Sequence, residues 1–300
     1  MASKLRKYFP FFKANMMSVL SYRFNIVVWI IVTALEVMAS LFLWIAVYKS
    51  SLEPVINGFT MKEMITYMVF ANIFSFTTFA SGTMESVTDD VKEGTIAMQI
   101  TKPISYQIRF MFTTLGGLFI QIFLFGFPMY IIAYVVFYCI GFVSITSIYQ
   151  LLISIIIFLL LIVISCLTNE AISFFTGVLT FYTNAAFGLN QMQQIVIAFL
   201  SGTAIPISFF PGDIFKKIVN FLPFAGMVQN PVLILLGKSP YLLEGNIIPS
   251  AYSYLGDGLL SFALDGIIVV IIASFWCVIL SLFGTILFNQ AIKKVTVHGG

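Results

Sequence analysis

The chain has 300 residues, of which 60% are hydrophobic and only 9% charged, with a formal net charge of +3. Soluble domains carry about 25% charged residues, so a water-solvated surface is excluded and lipid is the expected solvent. The small net charge leaves no electrostatic footprint for nucleic acid. The three cysteines, Cys139, Cys166 and Cys277, sit in or beside apolar runs, which argues against a disulfide framework, and the single His298 lies in the last three residues, where no metal or catalytic centre is expected.

Residues 1–24 interleave Lys4, Arg6, Lys7 and Lys13 with Phe9, Phe11, Phe12, Met16, Met17 and Leu20. This pattern predicts an amphipathic interfacial helix on the cytoplasmic leaflet; the plainer alternative is a positive flank to the first span. No cleavage-type segment follows, so a signal peptide is not expected. Residues 25–300 form the transmembrane domain. A spanning helix needs about 20 apolar residues, and six are expected, at about 26–48, 65–82, 110–139, 148–182, 188–205 and 267–288. Trp29, Trp44 and Tyr48 mark the ends of the first as an aromatic belt. Gly116, Gly117 and Pro128 are expected to break the third, and the turn between the fourth and fifth is placed in Thr183–Gln191. With six crossings, ten Lys and Arg residues fall on the side of the termini and five on the other, which makes both termini cytoplasmic.

The cytoplasmic loop 85–109 contains Asp89, Asp90, Lys92 and Glu93, then Gly94, the apolar "IAMQI" and Pro103. Asp89 is expected to cap a short helix that Gly94 stops. A charged helix beside an apolar patch fits docking to a cytoplasmic partner, and a solvated loop fits equally well. Inside the spans, Glu36, Asn72, Asn169 and Glu170 are the candidates for a translocation path, because polar groups in the bilayer are costly; interhelical hydrogen bonds are the structural alternative. Asn169 and Glu170 either sit at the membrane edge or line a cavity in a long kinked helix.

Leu200–Phe224, "LSGTAIPISFFPGDIFKKIVNFLPF", is too rich in proline and lysine for a simple span. Pro206 and Pro211 are expected to stop the fifth helix. Asp213 would cap a short amphipathic helix ending at Phe221, with Ile214, Phe215, Ile218, Val219 and Phe221 facing apolar surroundings and Lys216 and Lys217 facing water or headgroups. Residues 206–237 are thus expected to form a re-entrant hairpin at the outer mouth, with Gly202, Pro206, Pro211 and Pro223 shaping the gate.

Taken together, "EGTIAMQITKPIS", "GVLTFYT" (Gly177–Thr183), the series Leu200, Ser201, Gly202, Pro206, Pro211, Leu222, Pro223, Phe224, and then Pro231 and Gly237, resemble the membrane subunits of ABC-2 type transporters. The glycine-ended tail "VTVHGG" is similar too, although the family often has Trp where this chain has Tyr182. The resemblance covers most of the chain. It implies an all-α integral membrane protein of the type V exporter kind, with an N-terminal interfacial helix and an extracellular re-entrant hairpin. It also implies a coupling helix whose contact surface would be Asp89, Asp90, Val91, Lys92, Glu93 and Gly94.

The implied function is that of a permease subunit of an ATP-binding cassette exporter in a prokaryotic cell membrane. It would pair with a second permease, same or sister chain, and with cytoplasmic ATPase subunits. ATP and Mg would be bound by those partners, because this chain has no G-x-x-x-x-G-K-[ST] loop. The alternatives are a proton-coupled secondary transporter using Glu36 and Glu170, or a non-transporting membrane scaffold. The transported substrate is not named by these residues.

Overall fold

The computed structural model describes residues 6–21, 23–79, 82–141, 147–183, 185–242, 250–251, 254 and 258–293. Lys4, Lys294, His298 and the tail 295–300 lie outside the described residues, as do Asn184 in the fourth-to-fifth turn and most of the polar segment before the last helix.

In chain order the elements are α1 (Phe9–Ser21), α2 (Arg23–Ser50), β1 (Val55–Ile56), β2 (Phe59–Thr60), α3 (Met61–Thr78), α4 (Thr83–Lys92), α5 (Ile96–Ile100) and α6 (Tyr106–Gln121). A π-helical turn (Ile122–Gly126) leads to α7 (Phe127–Cys139), followed by α8 (Ile148–Leu179), α9 (Ala186–Leu200), a 3-10 turn (Ile207–Phe209), α10 (Asp213–Phe221), α11 (Gln229–Leu235) and α12 (Leu259–Ile292). Among the described residues, five stretches are long and apolar enough to cross a membrane: Val27–Ser50, Met61–Lys92, Tyr106–Cys139, Ile148–Leu179 and Leu259–Ile292. The chain is therefore an all-α membrane protein. Among the described residues the strands are those of the small hairpin β1–β2, whose turn has positive φ at Asn57 and Gly58, as a two-residue hairpin turn requires.

The fifth expected span is shorter than predicted. α9 has 15 residues, about 22 Å at 1.5 Å per residue, against a hydrocarbon core of about 30 Å. It ends at Leu200, and Gly202, with φ +84°, turns the chain four residues before Pro206, so glycine rather than proline stops it. A Cβ at Gly202 would stand 2.8 Å from the Tyr67 hydroxyl, which itself donates to the Gly202 carbonyl at 2.7 Å.

The third span is not broken at Gly116 and Gly117. α6 runs straight through them, and their missing side chains seat α1 instead. A Cβ at Gly116 would come within 2.1 Å of the Phe12 carbonyl oxygen, and one at Gly117 within 2.8 Å of the Asn15 amide. α1 is fastened there by Asn15 donating to the Thr113 carbonyl (2.7 Å), by the Ser105 amide donating to the Tyr8 hydroxyl (2.8 Å), and by a Tyr8–Phe112 ring stack at 5.5 Å. The expected interfacial helix thus docks along α6. The irregularity comes later, at Ile122–Gly126, just before Pro128. Proline has no N–H to give the preceding turn, and a single π turn absorbs the mismatch.

α8 is the centre of the molecule. It packs against α12, α4, α11, α6, α3 and α9, and its buried face mixes Phe158, Leu161 and Ile162 with Ser165, Thr168, Asn169, Glu170 and Ser173. Two of its partners carry serine- or threonine-based caps: Ser105 receives the Ile108 amide at α6, and Thr60 and Glu63 form a reciprocal capping box at α3. α2 is the peripheral helix. It packs mainly on α3, and most of its surface is exposed.

Candidate functional site

α1, the α4–α6 loop and the end of α12 meet at one end of the bundle, the basic end. There Lys7 donates to the Pro103 carbonyl (2.6 Å), and Tyr106 stacks on Phe288 at 4.9 Å. The α4–α5 segment forms a knuckle. α4 buries Thr83, Met84, Val87 and Thr88, and a Cβ on Gly177 of α8 would stand 3.0 Å from Val87 Cβ, so the two backbones approach closely. Asp89 does not cap this helix. α4 begins at Thr83 after Gly82, and Asp89 lies in its last turns. The expected stop does occur at Gly94, with φ +72°.

The six coupling candidates divide. Asp89, Lys92, Glu93 and Gly94 are exposed, together with Ala97 and Met98, while Asp90 and Val91 are half-buried. Asp90 is the clasp of the knuckle. Its carboxylate accepts from the Thr95 hydroxyl (2.7 Å) and the Tyr106 hydroxyl (2.6 Å) and lies 3.6 Å from the Arg109 guanidinium. Arg109 also donates to Gln99 (2.8 Å) and stands over the Tyr106 and Phe110 rings. Tyr106 then leans on Phe288, and Gln107 donates to the Ser281 carbonyl (3.0 Å) and accepts from Thr285. The knuckle is therefore wired to α12 as well as to α8.

The other unusual region is the hairpin α10–α11. Its turn reaches the middle of the bundle. Ser165, halfway along α8, donates to the Met227 carbonyl (2.6 Å), and Trp276, halfway along α12, donates to the Phe221 carbonyl (2.8 Å). Irregular backbone at that depth survives only under protein cover. Ala225, Met227 and Val228 are buried, and Gln229 supplies two further bonds, its amide to Ser201 (3.1 Å) and its side-chain oxygen to the Ile207 amide (2.7 Å). Pro206 and Pro223 are buried in this element and Pro211 is exposed. A cavity of about 220 Å³ lies between the turn and α12, lined by Asn220, Pro223, Gly226, Asn230 and Trp276 among others.

A family model described as ABC-2 family transporter protein matches residues 34–299. The chain belongs to the ABC-2 family of transporter membrane proteins. No curated protein and no solved structure gave a match.

One sequence expectation fails inside this ABC-2 hairpin. Lys216 does not face water or headgroups. It is buried, with Val219, while Ile214, Phe215, Lys217, Ile218 and Phe221 are exposed. The end of α10 is held at the middle of α12 by Trp276, its outward face is the greasy one, and Lys216 is turned toward protein. The helix starts from Gly212, with Asp213 as its first residue and no side-chain cap bond.

The ABC-2 path candidates are scattered. Glu170 is buried and accepts from the Thr114 hydroxyl of α6 (2.6 Å); Asn169 beside it is also buried. α8 continues unbroken through both. Asn72 donates to its own helix at Met68 (2.8 Å), and Ser75 bonds Thr203 (3.0 Å). Glu36 is exposed on α2, apart from the others. The structure thus brings together Asn169 and Glu170 but not Glu36 or Asn72.

Several polar residues of this ABC-2 protein escaped the sequence reading. Asp265, fully buried near the start of α12, accepts from Ser239, from Ser250 (2.5 Å) and from the Ala251 amide (2.7 Å). It ties the last helix to the segments on either side of the far-end loop. Nearby, Lys238 pairs with Glu63 at 2.7 Å. The signal was available: Asp265 stands two residues before the apolar run, where an acid is usually a solvated flank.

Proposed function

We propose that this chain is the permease subunit of an ATP-binding cassette exporter, driven by ATP hydrolysis on a separate cytoplasmic ATPase. The observation that carries the reading is the knuckle. It projects Asp89, Lys92, Glu93, Gly94 and Met98 outward, while Asp90 clasps its base to Tyr106 and Arg109. A soluble partner that pushes on such a rigid projection moves α4, α6, α8 and α12 together. That suits a rigid-body change between inward-open and outward-open arrangements.

In this reading the basic end is cytoplasmic and both termini lie there. The chain makes six crossings, the fifth being completed by the non-helical stretch after α9. The hairpin shapes the outer exit, and Asn169 and Glu170 stand beside the path. ATP and Mg belong to the partner. A second permease, of the same or a sister chain, completes the path.

The test is replacement of residues 89–94 by a neutral linker of equal length. The variant is expected to insert in the membrane yet lose co-purification with a soluble ATP-binding protein and lose ATP-dependent export. Wild-type export by this variant sinks the assignment.

A further inference from the structure

We propose that a furrow between α7 and α8 holds one acyl chain of a membrane phospholipid, from the leaflet away from the basic end, with Tyr134 as its polar anchor. The proposal concerns the lipid-facing side of the bundle and does not rest on the permease reading.

α7 and α8 follow one another in the chain, yet α7 leans mainly on α3 rather than on α8. Large rings keep the two helices apart. Tyr130 stands edge-on to Phe158 at 5.3 Å and stacks on Phe70 at 6.2 Å, and its hydroxyl shares a hydrogen bond with Thr77 (3.2 Å). These three rings floor a furrow of about 300 Å³. Ile131 and Val135 of α7 and Ile155 and Leu159 of α8 line it. All four are exposed on the surface of the bundle, so the furrow opens toward lipid.

Its extent is that of one leaflet. Ile122 and Ile162 line it. The first lies at the middle of the run Tyr106–Cys139, the second at the middle of α8. From there the lining continues to Val135 and Leu151, toward the end away from Tyr106 and Phe288. At 1.5 Å per residue this is about 20 Å along the π turn and α7, and about 17 Å along α8. Half of a hydrocarbon core of about 30 Å is about 15 Å. A furrow of that volume and length is one chain wide, whereas a helix, about 10 Å across, is too thick for it.

Tyr134 gives the furrow a polar mark. It lines the furrow, twelve residues past Ile122 and thus about 18 Å from the middle of the run. That is the edge of the hydrocarbon, the level of aromatic belts, and the exposed Tyr138 and Tyr149 mark the same end. The Tyr134 hydroxyl is buried and has no hydrogen-bond partner among the described residues. A donor left in that state is costly. Phospholipid tails join their headgroups through ester carbonyls, which lie at this same level. A tail lodged in the furrow brings such an acceptor beside Tyr134, and a turn of the ring toward the furrow makes the bond. The apolar lining takes the hydrocarbon and the phenol takes the ester.

The test uses the full chain in vesicles of phosphatidylethanolamine and phosphatidylglycerol that carry a trace of phosphatidylethanolamine with a diazirine on one tail. After illumination the labelled peptides are identified by mass spectrometry. Label is expected to be several-fold denser on residues 127–135 and 151–162 than on the freely exposed face of α12 that carries Phe275, Val278 and Leu282. A diazirine near the ester should mark the region of Val135 and Leu151, and one at the tail's end the region of Ile122 and Ile162. Leu159→Trp, which fills the furrow from its rim, is expected to bring its label down to the α12 level with the thermal midpoint kept. Tyr134→Phe keeps the ring and is expected to lower the label by about threefold to tenfold, the loss of one hydrogen bond. Equal density on the furrow and on α12 is ordinary solvating lipid and overturns the site. Label below that on α12, the sign of a cargo or protein partner in the furrow, overturns it too, as does enrichment that Leu159→Trp leaves unmoved. Should Leu159→Trp fail to fold, Tyr134→Phe decides: unchanged label overturns the anchored site.

Discussion

Asp90 and Asp265 show what single carboxylates do in this chain. Asp90 joins α4, α5 and α6 through Thr95, Tyr106 and Arg109. Bonds to a charged group contribute roughly 1.5–3 kcal/mol. Asp90→Ala is therefore expected to lower stability by about 2 kcal/mol, read as a drop in the thermal midpoint of the purified protein, with Tyr106→Phe costing less because it removes one bond. Asp265 is buried completely and holds three donors. Asp265→Ala leaves those donors without their acceptor and is expected to cost about 3 kcal/mol, with faster hydrogen exchange at Ala251 as the local sign. The half-buried Lys238–Glu63 pair, each side chain about a third accessible, is solvent-screened and contributes less than about 1 kcal/mol. Glu63→Gln should move the thermal midpoint little.

At the scale of elements, Gly116 decides where α1 goes. Gly116→Val places side-chain atoms where the Phe12 carbonyl stands, so α1 is expected to leave α6. Trypsin should then cut at Arg6, Lys7 or Lys13 several-fold faster than in the wild type, whereas Gly188→Ala, with open space around it, changes nothing. The sequence made most helices legible because their apolar runs are long: α8 starts where the expected fourth span starts and ends three residues short of it, and α12 contains the expected last span with a margin at each end. The bounds of α10 were legible for a local reason, since Gly212 and Pro223 frame it. Its orientation was not. A lysine reads as a water-facing residue only if water is outside, and for a helix held at mid-depth by Trp276 the outside is lipid. Gly116 and Gly117 mislead for a related reason. Paired glycines look like a break until the helix that needs their bare backbone is in place. Of the site residues, the exposed face of the knuckle followed from local charge, but the clasp through Tyr106 and Arg109 depends on the chain returning sixteen and nineteen residues later, which spacing alone does not show.

For the whole molecule, the contacts describe one connected frame running from the knuckle through Tyr106 to Phe288 and α12, and along α8 to Ser165 and the hairpin. On the proposed permease reading, and if this frame transmits force, Tyr106→Ala should leave the proposed ATPase partner bound but reduce export per ATP hydrolysed. That ratio, measured in reconstituted vesicles, checks it; an unchanged ratio removes Tyr106 from the route. The same frame has a consequence for synthesis. The covering for the hairpin turn comes from α8, made before it, and from Ala273 and Trp276 of α12, made after it. Bare backbone carbonyls do not settle into hydrocarbon. The hairpin turn is therefore expected to lack part of its cover until the final helix is made, and a nascent chain halted before Trp276 would carry its hairpin unburied.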